Sequence, residues 1–100
     1  MIPIDRAKTY SWGLYTKRTN AVLAGNSVLL VLVEYDRTFA ATGTTITLAT
    51  IVPGTTWAET TGTVGAATFN AATAYVQVLI RDNSSATGAV NLIDGVAFYL

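Results

Sequence analysis

The stretch that decides the fold is Ala74-Tyr75-Val76-Gln77-Val78-Leu79-Ile80-Arg81, together with the remainder of the chain to Leu100. Tyr, Val, Leu and Ile crowd these eight positions, and such β-branched and aromatic residues fit a pleated, half-buried surface. A polar loop comes next, Asp82-Asn83-Ser84-Ser85-Ala86-Thr87-Gly88. Two short strands then close the chain, 89–93 and 96–100, separated by Asp94-Gly95, a dipeptide typical of tight turns between strands.

Working outward, the same pattern recurs at roughly ten-residue spacing. Residues 8–17 alternate, with Tyr10, Trp12, Leu14 and Thr16 on one face and Thr9, Ser11, Gly13 and Tyr15 on the other. Residues 28–35 are apolar on both faces, as a central sandwich strand can be. Residues 44–52 set Ile46 and Leu48 against Thr45, Thr47 and Ala49, and end at Val52-Pro53-Gly54, a turn sequence. A weaker segment, 57–64, reads as an edge. Helical spacing is hardly found; the best candidate, 20–23, is too short to matter. About seven strands with turn signals between them predict an all-β antiparallel sandwich of jelly-roll-like form, with residues 1–100 as one domain.

The composition narrows function. Only 12% of residues are charged, against about a quarter in an ordinary domain, and the net charge is zero. No basic patch argues for nucleic acid or an anionic membrane. Low charge at zero net charge favours association over an isolated monomer. Without cysteine there are no disulfides, thiolate nucleophiles or Cys-based zinc sites; without histidine, the usual general base and transition-metal ligand are absent. The longest apolar run, 28–33, is far short of a membrane span, and the opening residues do not read as a signal peptide.

Several segments resemble the later two-thirds of a jelly-roll carbohydrate-binding module of the galactose-binding-like type. Lys8-Thr9-Tyr10-Ser11-Trp12-Gly13-Leu14-Tyr15-Thr16-Lys17 is similar to that family's Tyr-Thr-Phe-Ser-Ala-Tyr-Val-Lys strand. The strand 28–36 ends in Glu34-Tyr35-Asp36, and Thr55-Thr56-Trp57 resembles a Thr-x-Trp that opens a later strand. Ala74-Tyr75-Val76-Gln77-Val78 with 88–100 resembles the Gly-x-Val-Tyr-Leu-Asp-Asp-Val-Ser-Leu ending. Such modules accompany glycoside hydrolases and occur in phage tail and virion proteins. The resemblance implies a virion or extracellular setting and a glycan or protein partner. The family's first strands have no counterpart here, so the expectation is a module whose missing strands come from a neighbouring subunit, assembling as a homo-oligomer or in a larger particle.

The candidate ligand-binding residues are Tyr15, Tyr35 and Trp57, whose rings offer flat apolar area with a polar tip, and Arg81 and Asn83 at a strand end. Tyr75 belongs to the same set of aromatics. Each competes with a plainer role in core packing or solvated loops. Trp12, sharing its face with Tyr10 and Leu14, is expected inside, and Tyr15 outside. The resemblance implies a structural calcium at Asp94, although calcium wants six to eight oxygens and the family's partner ligands are not here. Asn83-Ser84-Ser85 fits a glycosylation acceptor, a short pattern common by chance. Glu34 and Glu59 are the only glutamates, and nothing in the sequence marks them as a catalytic pair. The expectation is a non-catalytic module of a phage or virion, structural or adhesive; the alternative is the glycan-binding module of a secreted carbohydrate-active enzyme.

Overall fold

The computed structural model describes residues 1–19, 27–83 and 91–100, with the side chain of Asn83 outside the described set. The strands are β1 (Ile2–Pro3), β2 (Thr9–Arg18), β3 (Ser27–Tyr35), β4 (Ala41–Ile51), β5 (Ala58–Gly65), β6 (Tyr75–Asn83) and β7 (Asn91–Tyr99). They form two antiparallel sheets, in the orders β1-β6-β3-β4 and β5-β2-β7. Only β3 and β4 follow one another within a sheet; every other connection crosses between sheets. The described residues therefore form an all-β sandwich of seven strands.

The alternation read along β2 is what faces the core. Tyr10, Trp12, Leu14 and Thr16 are all buried, while Tyr15 is exposed. From the opposite sheet come Leu30, Leu32 and Val76, and the 3₁₀ turn after β5 adds Ala66, with Phe69 just beyond it. Phe98 of β7 stacks on Tyr10 at 5.2 Å and 4°. Each large apolar side chain buried this way contributes on the order of 1.5–3 kcal/mol.

Two expectations change. The last segment is one strand, not two. Gly13 pairs with Ala97 and Tyr15 with Asp94, so β7 carries one residue more than β2 between these points. That extra residue is a bulge with Gly95 at φ 60°, a left-handed conformation glycine adopts freely. Asp94-Gly95 thus bends a continuous strand, and Asp94 Oδ1 accepts the Gly95 N–H at 2.8 Å. The seventh strand is instead β1, two residues on the edge of β6. Trp57 also precedes β5 and is not part of it.

Candidate functional site

The outward face of the four-stranded sheet is the most unusual surface of the molecule. In β3 the even-numbered residues enter the core, so Leu29, Val31, Val33 and Tyr35 point outward. Pairing places Arg81, Leu79, Gln77 and Tyr75 of β6 beside them, in that order. On the other side stand Thr50, Thr47 and Thr45 of β4. Val31 is 3% exposed although it belongs to neither core cluster. No other described strand packs over this face.

At one end of this face the β3–β4 hairpin builds an aromatic cluster. Tyr35 and Tyr75 are cross-strand partners, and the Tyr35 hydroxyl donates to Gln77 Oε1 at 3.1 Å. Phe39 lies over Tyr75 with ring centroids 4.6 Å apart and planes 25° from parallel, while staying 58% exposed. Its backbone is at φ 64°, a region bulky residues rarely occupy. Asp36 holds the loop there: its Oδ1 accepts from the Thr38 hydroxyl at 2.6 Å, the Thr38 N–H at 2.8 Å and the Ala40 N–H at 3.1 Å.

These donors, the Thr38 hydroxyl foremost, hold the Asp36 carboxyl below its ordinary range. The unfolded chain titrates at the ordinary value, about 3.9. The loop's stabilisation is therefore complete above that pH and is lost as pH falls through the lower folded value. An NMR titration should show the Thr38 and Ala40 amides shifting together only below about pH 4. Thr38→Ala should move that midpoint upward.

Beside the cluster lies a cavity of about 410 Å³ lined by Arg6, Asp36, Arg37, Thr38 and residues 71–74. The Arg6 guanidinium donates to the carbonyls of Asn70 at 2.8 Å and Phe69 at 3.3 Å, which ties the wall to the 3₁₀ turn. Behind that wall is Glu34, 0% exposed. Its Oε1 accepts the Asn70 N–H at 2.8 Å and the Thr73 hydroxyl at 2.6 Å, and its Oε2 makes no hydrogen bond among the described residues. Glu34 fastens the segment leading into β6. Glu59 is exposed on β5 of the other sheet, so the two glutamates do not face a common cleft.

The sequence candidates do not converge on one site. Tyr35 stands in the aromatic cluster. Arg81 is on the same face but six residues along β6 from Tyr75, about 20 Å away at strand rise. Tyr15 lies on the outward face of the opposite sheet, paired with Glu59; its hydrogen bond with Glu59 and the charge there raise the Tyr15 phenol. Trp57 is 47% exposed in the β4–β5 connection. The Asn83 side chain and Ser84-Ser85 lie outside the described residues. Asp94 is exposed, and the described residues contain no group of three or more acidic, histidine or cysteine side chains able to hold a metal.

Phe39 is invisible to sequence reasoning, because nothing in its local sequence announces a left-handed aromatic. Comparison with family models, with curated proteins and with solved structures finds no match.

Proposed function

We propose that this chain is a non-catalytic structural or adhesion module of a phage- or virion-type particle, working through protein contacts as an oligomer. The observation that carries this reading is the apolar outward face of the four-stranded sheet, over which no other described strand packs. Leu29, Val33 and Leu79, each half-buried, surround the buried Val31, and an apolar strip rimmed by polar residues suits a contact surface. Charge agrees with it. Between Arg37 and Arg81 the chain carries a single charged residue, Glu59, so the sheet surfaces built from this stretch offer little electrostatic resistance to association. The particle setting comes from the family resemblance.

Light scattering over a wide concentration range tests the reading. Oligomers are expected; a 10.5 kDa monomer at the highest concentration would contradict it.

A second reading, glycan binding, is favoured by one feature, the Phe39–Tyr75 stack beside the arginine-lined cavity. An exposed ring held over another offers a flat platform of the sort sugar rings stack on. On a glycan array, that reading expects binding that Phe39→Ala and Tyr75→Ala abolish and Tyr15→Ala leaves intact. A silent array with a folded protein would eliminate it.

A further inference from the structure

The two sheets leave four outer strands, and three carry features that discourage pairing with another chain. β1 is two residues long and includes Pro3, which has no N–H to offer. β7 is bent by the Gly95 bulge and carries Asp94. β5 holds Glu59 and two glycines. β4 is different: eleven residues, Ala41-Thr42-Gly43-Thr44-Thr45-Ile46-Thr47-Leu48-Ala49-Thr50-Ile51, with no charge and no proline. Its free edge is a long row of backbone groups of the kind that templates strand addition.

We infer that β4 is the interface to a second copy of this chain, pairing antiparallel with its own twin about a two-fold axis near Ile46. This rests on the assembly reading and names the partner and the edge. Self-pairing needs a strand that complements its own reverse. About Ile46, Thr45 meets Thr47 of the second copy, both on the outward face; Thr–Thr pairs across strands are favourable. Thr44 meets Leu48, both on the inward face. No pair sets like charges together, because the strand has none.

β4 is irregular twice, by one residue and by two. Its register against β3 slips once at Leu48 and again between Ala41 and Thr45. These lie on either side of Ile46, so each irregular stretch faces the other across the axis.

The size of the flank is adequate. β4 and β5 touch and close the same side of the sandwich, each as the outer strand of its sheet. Eleven residues span about 37 Å, and two sheets about 10 Å apart with their side chains make a flank roughly 20 Å thick. Each copy would bury about 700 Å², giving a pair within the usual range of about 1,200–2,000 Å² in total.

The absence of native cysteine makes the test clean. An equimolar mixture of Thr45→Cys and Thr47→Cys chains, mildly oxidised, should give mixed disulfide dimers in high yield. Mixing either with Gln77→Cys, on the same sheet face but in β6, should give almost none. The exposed pair Thr45→Lys/Thr47→Lys should keep its circular dichroism and melting temperature while self-association falls at least tenfold. If wild-type oligomers form but the mixed disulfide does not, and the lysine variant associates like wild type, this interface is wrong although assembly stands. If wild type is monomeric throughout, interface and assembly reading both fail.

Discussion

Glu34→Ala is expected to cost about 3–5 kcal/mol. The side chain is fully buried, and its Oε1 is the acceptor for two donors on the segment entering β6. Removing it leaves the Asn70 N–H and Thr73 hydroxyl without their acceptor, at about 1–3 kcal/mol for each buried group, and opens a void as well. Each kcal/mol lowers the melting temperature of a domain this size by roughly 4–8 °C. A fall of more than about 12 °C in thermal denaturation is therefore the expected result. Glu34→Gln keeps a carbonyl acceptor and should lose much less. The Asn70 amide should report the mechanism directly, with faster hydrogen exchange in the alanine variant. A loss under about 1 kcal/mol, less than even one orphaned buried donor costs, would show that Glu34 does not fasten this segment.

Gly62→Ala is the second large effect, and its sign is the informative part. Glycine inside a strand is ordinarily a weakness, and alanine there would be expected to stabilise by about 0.5–1 kcal/mol. Here Gly62 pairs with Trp12, and the indole lies across it. A Cβ on Gly62 would overlap Trp12 Cζ2 and lie 2.8 Å from Cε2 and 3.2 Å from Cη2, closer than van der Waals contact allows. The indole is 8% exposed and packed among Leu14, Leu30 and their neighbours, so it has little room to retreat. Overpacking of this kind costs typically about 1–3 kcal/mol. The measurement is denaturant unfolding together with tryptophan fluorescence in a Trp57→Phe background, where Trp12 is the sole emitter: a lowered midpoint with a shifted emission maximum is expected. At Gly43, where an added Cβ meets nothing within 4 Å, φ is +85°, so alanine would be disfavoured by backbone conformation and not by crowding. A stabilised Gly62→Ala would mean that the indole does not lie where it is described.

Most of the fold was legible in the sequence because its signals are local. The period-two alternation of Tyr10, Trp12, Leu14 and Thr16 is a property of ten consecutive residues, and all four are buried as it implies, with Gly13 of the other face buried too. The two-faced apolar strand 28–35 was legible as central, and it does lie inside its sheet. Yet its outward half was not recognisable as an open face, since apolar residues on both sides read the same whether or not a second layer covers them. Asp94-Gly95 misled because the same dipeptide serves a turn and a bulge; pairing with β2 decides between them, and pairing is not local. β1 escaped notice because two residues carry no periodicity.

The candidate site was far less legible. Aromatic and polar residues were identified by type, but whether they share a surface depends on sheet order. Tyr35, Tyr75 and Phe39 meet through a cross-strand register and a left-handed turn. Tyr15 and Trp57, equally suitable in type, lie elsewhere. Glu34 stood out only as a glutamate in an apolar strand, and its partners are 36 and 39 residues away along the chain.

The central claim is that this sandwich meets its own kind along β4, and hydrogen exchange as a function of protein concentration tests it most directly. Backbone amides on the free edge of β4 should exchange quickly in dilute solution and gain protection as concentration rises, while the amides of β7 stay unchanged. Exchange in β4 that is identical at all concentrations would contradict the account.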